Sequence, residues 1–158
     1  MSKVIVIYES KYGNTKQAAE EIIAGIKETA AIEAILSEVK QVNFDDVIAA
    51  DAILIGSPNH MGRATKSIRS FIDELGKINL NYVPVAVFDT CFSRECEKAV
   101  KKMEKQITEG VLSLKLITPG LSVKVKGTKG PILEEELPRC REFGVKFGEV
   151  VEENKQKE

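Results

Sequence analysis

The sequence lacks the features of several common protein classes. Its 158 residues include one histidine, His60, and three cysteines, Cys91, Cys96 and Cys140, whose spacing matches no zinc-binding pattern. Basic and acidic residues nearly balance at a net charge of −1, and no basic stripe interleaved with aromatic residues indicates a nucleic-acid surface. No apolar run approaches the length of a membrane span. We therefore expect no metal site, no nucleic-acid partner and no membrane partner.

Two further absences bear on the cellular compartment. No stretch near the N-terminus resembles a signal peptide, because the chain enters an apolar strand pattern almost at once. Three cysteines without a disulfide framework indicate reduced thiols in a reducing compartment. We expect a cytoplasmic protein, and the composition, 43% apolar and 30% charged, is that of one globular domain.

Strand and helix patterns alternate along the chain. Strands are predicted at residues 4–7, 31–39, 52–55, 84–88 and 111–117, and helices at 16–28, 43–50, 65–75, 94–108 and 134–151. This alternation predicts a three-layer α/β/α sandwich around a doubly wound, five-stranded parallel sheet. We expect one domain over residues 1–152, followed by a charged, frayed tail over residues 153–158. Ligands of such sheets bind beyond the carboxyl ends of the strands, so the loops after the first, third and fourth strands should share one site.

The first of these loops has the composition of a phosphate-binding turn. Residues 8–15 read Tyr-Glu-Ser-Lys-Tyr-Gly-Asn-Thr, between an apolar strand and an amphipathic helix. Such a turn directs backbone N–H groups at one point, Ser10 and Thr15 add hydroxyl donors, and Gly13 permits close approach of a ligand. Two known phosphate-binding loops are excluded. The G-x-x-x-x-G-K-[ST] loop needs lysine where Asn14 follows Gly13, and the dinucleotide motif G-x-G-x-x-G follows no strand. An N-capped turn without a ligand fits the same residues.

The other two loops add candidate contacts to a planar ligand. The third-strand loop, residues 56–65, contains Pro58, which stiffens the backbone, and Asn59, which offers both donors and acceptors to ring heteroatoms. In the fourth-strand loop, residues 89–93, Phe92 is either a stacking residue or a core residue under the next helix.

These loops resemble those of the flavodoxin family. The pattern Tyr8-x-Ser10-x-x-Gly13-Asn14-Thr15 resembles the loop that wraps the phosphate of flavin mononucleotide (FMN), and Gly-Ser-Pro with Met61-Gly62 resembles the second flavin loop. The resemblance implies strand order 2-1-3-4-5, FMN as the cofactor, and electron transfer between cytoplasmic redox proteins. It implies no catalytic residue and these cofactor-binding residues: Ser10, Lys11, Tyr12, Gly13, Asn14, Thr15, Ser57, Pro58, Asn59, His60, Met61, Gly62, Asp89, Thr90, Cys91 and Phe92. Cys91 is expected to be an inert small side chain.

The sequence departs from the family pattern in several places. No tryptophan is present, so one usual stacking partner of the flavin is absent. Arg63 stands where short-chain relatives tend to carry an acid, and because a cation stabilises the reduced, anionic ring, we expect a milder reductant than acidic flavodoxins. Residues 124–129 add further positive charge, and the sequence does not place them. Residues 118–124 and 135–144 resemble the end of the flavodoxin module of flavodiiron proteins, but the metal-binding domain is missing, so we expect no di-iron chemistry.

Two other functions stay open at the level of sequence. The same fold supports FMN-dependent NAD(P)H or quinone reductases, but such relatives usually carry inserted segments for which this chain has little spare length. A domain that kept the fold but lost the flavin would serve as an interaction module. In the leading interpretation, a monomer or weak homodimer exchanges electrons with a separate reductase and a separate acceptor.

Overall fold

The protein folds around one parallel sheet flanked by helices. The computed structural model describes residues 1–29 and 31–157. The strands are β1 (Ser2–Tyr8), β2 (Ile32–Glu38), β3 (Ala52–Pro58), β4 (Val83–Cys91), β5 (Leu114–Leu116) and β6 (Leu121–Lys124). The α-helices are α1 (Asn14–Thr29), α2 (Phe44–Ala49), α3 (Lys66–Leu75), α4 (Lys98–Gly110) and α5 (Glu136–Gln156).

The order of the strands confirms the predicted α/β topology. Neighbouring strands are parallel and follow the order β2-β1-β3-β4-β5, with β6 also paired to β4. The predicted fifth strand, residues 111–117, was too long. Two short strands, β5 and β6, share its place beside β4. β5 pairs with the start of β4 and β6 with its end. Pro119 lies between them, and proline interrupts a strand because it has no N–H to donate.

The sheet buries apolar side chains on both faces. On one face, alternate residues such as Ile5, Ile53 and Val85 pack under α3 and α4. On the other, Val4 and Leu54 pack with α1 and α5. Burial on both faces explains why β1 and β3 read as continuous apolar runs rather than as alternating patterns.

The helices α1 and α5 approach closely because glycines face each other across their contact. A Cβ atom on Gly144 would collide with the carbonyl group of Ile22, and one on Gly25 would collide with that of Arg141. This packing holds α1, and with it the turn that precedes α1, firmly against the sheet.

Two predicted helix boundaries were wrong. The fourth helix begins at Lys98 rather than Arg94, since Ser93 and Glu97 have positive φ values of 64° and 75° that no α-helix accommodates. The last helix continues to Gln156, so the predicted frayed tail is helical up to that residue. Lys155 Nζ lies 2.9 Å from Asp51 Oδ1, which anchors this end to the body of the domain. Among the described residues, no helix combines the length and apolar character needed to cross a bilayer.

Candidate functional site

A cleft of about 520 Å³ opens at the carboxyl ends of β1, β3 and β4, where the strand order reverses. Its size suits a small-molecule ligand. Eleven of the sixteen predicted site residues line it, together with three that were not predicted. The lining residues are Ser10, Lys11, Tyr12, Asn14, Thr15, Pro58, Asn59, His60, Met61, Thr90, Phe92, Glu95, Val125 and Thr128.

The turn between β1 and α1 presents unpaired hydrogen-bond donors to one end of the cleft. Ser10 Oγ accepts from the backbone N–H of Gly13 (3.0 Å) and of Lys16 (3.4 Å), which leaves its own hydroxyl proton available to a ligand. Gly13 has φ +91°, a conformation that lets the turn curl in this way. Within residues 1–29 and 31–157, no protein group accepts from the backbone N–H of Lys11, Tyr12, Asn14 or Thr15. Four free N–H groups at the start of a helix favour an anion.

A buried hydroxyl pair joins this turn to the end of β4. Thr15 Oγ1 and Thr90 Oγ1 lie 2.8 Å apart, and both side chains are buried. Because one residue opens α1 and the other lies near the end of β4, the pair sets the distance between two walls of the cleft.

The segment from Lys124 to Pro131 forms a wall that the sequence did not place. Asn14 Nδ2 donates to the Lys129 carbonyl oxygen (3.1 Å), which ties this segment to the first turn. Lys129 Nζ lies 6.0 Å from the ring centroid of Tyr12, and Lys11 Nζ lies 5.4 Å from it. The Tyr12 ring thus lies close to two cations at the mouth of the cleft. Val125 and Thr128 complete the wall, and the only sequence signal for them was the polar, glycine-containing composition of residues 126–130.

The loop after β3 ends in a two-residue hairpin. The backbone groups of His60 and Arg63 exchange hydrogen bonds of 2.8 and 3.0 Å, and the central residues Met61 and Gly62 have φ +53° and +83°. Positive φ at both central positions is typical of a type I′ turn, which glycine at the second position favours. The Met61 side chain is 91% exposed, so a large apolar group stands in solvent beside the cleft.

Asn59 ties together the segments around this hairpin. Its Nδ2 donates to the Glu95 carbonyl oxygen (2.6 Å) and to Asp89 Oδ2 (3.2 Å), while its Oδ1 accepts from the Gly62 N–H (2.8 Å). The sequence predicted that Asn59 would contact a ring. Asn59 lines the cleft, and its side-chain amide also holds the hairpin in position.

Five predicted residues do not line the cleft. Ser57 is buried, donating to the Pro58 carbonyl oxygen (2.8 Å) and accepting from the Thr65 N–H (3.0 Å), so it shapes the loop from beneath. Asp89 and Cys91 belong to β4 rather than to a loop, and both are buried on the face of the strand opposite Thr90. The other two, Gly13 and Gly62, act through their backbone conformations.

Comparison with known proteins identifies the family. The sequence matches the Flavodoxin domain profile over residues 5–125, more than half of the chain. The chain belongs to the flavodoxin family. Membership implies a flavin cofactor. A solved structure, a flavodoxin from the domain Archaea, superposes with a TM-score of 0.81 at 26% identity, covering 95% of this chain and 99% of that one.

Curated relatives of this flavodoxin-family protein fall into two groups. It is 36% identical over 75 residues to a flavodoxin from Aquifex aeolicus (strain VF5), covering 48% of this chain and 40% of that protein. It is 29% identical over 98 residues to an NAD(P)H dehydrogenase (quinone) from Geotalea daltonii, covering 47% of this chain and 48% of that protein. The matched region thus spans about half the length, or less, of these relatives.

Asp89 lies buried in this flavodoxin-family protein beneath the cleft. Removal from water raises the pKa of its carboxyl group from 3.8 to about 6, and the hydrogen bond from Asn59 opposes that shift only in part. Its Oδ1 atom has no hydrogen-bond partner among the described residues. The Asp89 side chain therefore supports Asn59 from below.

The expectation of free thiols was wrong for two of the three cysteines. Cys91 and Cys96 form a disulfide with a Cα–Cα distance of 5.0 Å. The bond forms because the chain turns back at Ser93, bringing Cys96, two residues before α4, against the end of β4. Cys140 is a free, buried thiol whose pKa is raised by burial to about 12. Cys91 is accordingly a bonded residue rather than an inert small side chain.

Proposed function

We propose that this protein binds FMN in the cleft and carries electrons between cytoplasmic redox proteins. The observation that supports FMN in particular is the donor set at the β1–α1 turn. Four backbone N–H groups without an acceptor among the described residues and the hydroxyl of Ser10 belong to residues that line one end of the cleft. A phosphate monoester satisfies such donors better than any uncharged part of a flavin. When bound, the flavin supplies the redox chemistry, and the protein supplies orientation and electrostatics.

The rest of the cleft suits a planar ring. Tyr12, Met61 and Phe92 are large apolar side chains that are 45%, 91% and 49% exposed around its opening. Exposure of this kind is unfavourable without a ligand, and stacking on a flat heterocycle would remove much of it from water. We assign Pro58, His60, Met61, Thr90 and Phe92 to the ring.

The assignment of the phosphate is tested by comparing FMN with riboflavin, which has the same ring and no phosphate. Protein freed of flavin is titrated with each, and binding is followed by quenching of flavin fluorescence. We expect FMN to bind at least tenfold more tightly than riboflavin. Ser10→Ala should weaken FMN binding several-fold and leave riboflavin binding unchanged.

Ser70→Ala is the matched control, since Ser70 is exposed on α3 away from the cleft and its loss should leave both affinities unchanged. Equal affinities for FMN and riboflavin in the wild-type protein would contradict the proposed phosphate site.

A second candidate is an FMN-dependent NAD(P)H–quinone oxidoreductase, favoured by the similarity to the quinone reductases. Mixing the FMN-loaded protein with NADPH in the absence of oxygen separates the two functions. Direct bleaching of the flavin absorbance within seconds would favour the enzyme. Bleaching that requires an added flavodoxin reductase would favour the carrier.

A further inference from the structure

The disulfide closes a short turn whose residues belong to the wall of the cleft. Cys91 is the last residue of β4, and Cys96 lies two residues before α4. Between them, Phe92 and Glu95 both line the cleft. The bond between the two sulfur atoms therefore constrains two wall residues directly.

The other contacts of this turn are single hydrogen bonds and exposed ion pairs. Ser93 and Glu97 have positive φ values, which residues with a side chain rarely adopt. Glu97 also makes no side-chain capping bond to α4. Its backbone N–H donates to Ser122 Oγ (2.8 Å), and the ion pair of Lys98 with Glu95 (3.3 Å) is largely exposed. With the disulfide opened, the backbone would be free to leave these conformations.

The turn is coupled to the Met61–Gly62 hairpin through one side chain. Asn59 donates to the Glu95 carbonyl oxygen and accepts from the Gly62 N–H. A displacement of Glu95 would break or redirect the first bond, and the same amide would then hold the hairpin less firmly. The disulfide thus influences both sides of the cleft.

The two sulfur atoms differ in accessibility. Cys91 is 1% exposed, whereas Cys96 is only partly buried. Cys96 also lies next to the N-terminus of α4 and close in sequence to Lys98, and both favour a negative charge on its sulfur. An attacking thiolate therefore reaches Cys96 first, and Cys96 is the better nucleophile when the bond forms again.

We propose that Cys91 and Cys96 are a redox-active pair, a second redox site beside the flavin cleft, and that the protein binds FMN more tightly with the disulfide closed than with it open. The reductant is an external dithiol. One of its thiolates attacks Cys96 Sγ, the Cys91–Cys96 bond breaks, and Cys91 leaves as a thiolate that takes a proton from water. The second thiol of the reductant then attacks the mixed disulfide and releases Cys96, so two electrons pass from the dithiol to the pair.

Closure of the disulfide and binding of FMN must favour each other by the same factor. This part of the inference rests on the proposed binding of FMN. If closing the disulfide strengthens FMN binding tenfold, then FMN favours the closed form tenfold. A tenfold change in that equilibrium corresponds to about 30 mV in the potential of the two-electron thiol couple.

The experiment uses the full chain, equilibrated in buffers of increasing ratio of reduced to oxidised dithiothreitol. A maleimide reagent followed by mass spectrometry counts the thiols that each buffer exposes, first without FMN and then with it. We expect Cys96 to become labelled as the disulfide opens, while Cys91 and Cys140 stay protected by burial. FMN should shift the midpoint toward more reducing buffers, and the FMN dissociation constant should rise about tenfold from the oxidised to the reduced protein.

The inference would be overturned if the Cys91–Cys96 disulfide stayed closed in every buffer. It would also be overturned if the FMN dissociation constant were the same in all buffers. Absence of FMN binding in every buffer would overturn the proposed function and the coupling together, whereas labelling would still report whether the pair exchanges.

Two variants separate the pair from the third cysteine. Cys96→Ser cannot form the bond, so it should bind FMN as the reduced wild-type protein does in every buffer, with its fold checked by circular dichroism. Cys140→Ala retains Cys91 and Cys96, so its FMN dissociation constant should depend on the buffer as that of the wild-type protein does. If Cys96→Ser bound FMN as tightly as the oxidised wild-type protein, the disulfide would have no effect on the cleft.

Discussion

Thr15 Oγ1 and Thr90 Oγ1 share a buried hydrogen bond of 2.8 Å across 75 residues of sequence. The bond connects the first turn of α1 to β4, two elements that meet only through the fold. It joins the wall that we assign to the phosphate with the wall that we assign to the ring. Its loss should therefore affect both stability and ligand binding.

Thr90→Val tests this relationship with a side chain of nearly the same shape. The substitution leaves the Thr15 hydroxyl buried without its partner, which costs about 1–3 kcal/mol of unfolding free energy. We expect a lower midpoint in urea denaturation with an unchanged slope, together with weaker FMN binding. Thr108→Val, on the exposed side of α4, should change neither quantity appreciably. Equal stabilities of Thr90→Val and the wild-type protein would show that Thr15 finds another partner.

Asp89→Asn should change the dependence of stability on pH. The pKa of Asp89 rises from 3.8 to about 6 on folding because burial disfavours the charged form. Its contribution to stability is therefore complete below pH 3.8 and is lost as the pH rises through 6. A shift of about two pH units corresponds to about 3 kcal/mol. We expect the unfolding free energy of the variant, relative to the wild-type protein, to increase between pH 4 and pH 6 and then to level off.

Asp51→Asn provides a contrast of opposite sign. Partial burial raises the pKa of Asp51, but hydrogen bonds from Lys155 and from the Lys3 backbone N–H outweigh it, so the net shift is downward. Asp51 thus stabilises the fold above its unfolded pKa of 3.8 and loses that effect as the pH falls. The unfolding free energy of Asp51→Asn should therefore decrease relative to that of the wild-type protein as the pH rises from 3 to 5. Parallel pH profiles for the two variants would contradict both assignments.

Gly144→Ala tests the close contact of α1 with α5. A Cβ atom at this position overlaps the backbone of Ile22, which no side-chain rotation can relieve. We expect a loss of about 1–3 kcal/mol in unfolding free energy, measured by urea denaturation. Gly110→Ala is the matched control, because nothing lies within 4 Å of a Cβ atom there and alanine favours the end of α4. The control should be neutral or slightly stabilising.

Arg63→Asp tests the expectation of a mild reductant. Arg63 is exposed at the end of the hairpin beside the cleft. A cation about 8 Å from a charged ring, at an effective dielectric constant near 20, contributes roughly 2 kcal/mol, or about 100 mV for one charge. Because Arg63 is exposed, solvent and salt reduce this to tens of millivolts. We expect the variant to have a lower flavin midpoint potential in spectroelectrochemical titration at low ionic strength.

Lys157→Asp makes the same change of charge far from the cleft. Lys157 lies two residues after Lys155, which contacts Asp51 just before β3, at the end of the strands opposite the cleft. The potential of this control should match that of the wild-type protein. A shift in Lys157→Asp as large as in Arg63→Asp would assign the effect to net charge rather than to the position of Arg63.

The parts of the site that were predicted from sequence are local. The turn from Ser10 to Thr15 has its strand, its donors and its helix within a few consecutive residues, so composition and periodicity are enough to identify it. The hairpin at Met61–Gly62 is likewise defined by neighbours in sequence. The order of the strands followed from the family resemblance and the rules of parallel sheets.

The parts that were missed depend on where a strand stops and on what folds back against it. β4 continues through Asp89 to Cys91, so alternation turns Asp89 and Cys91 away from the cleft and leaves Thr90 facing α1. Glu95 and Thr128 reach the cleft only because turns distant from the first loop fold over it. No local pattern records such contacts, since they join residues far apart in sequence.

By itself, the sequence determined the α/β class, the turn that precedes α1 and the two loops that accompany it, because each depends on the periodicity and chemistry of adjacent residues. Only the tertiary structure decided that Cys91 bonds Cys96, that Thr15 meets Thr90, and that the Asn59 amide joins Glu95 to Gly62. These relationships depend on distances between side chains, and such distances are set by the packing of the whole sheet and its helices.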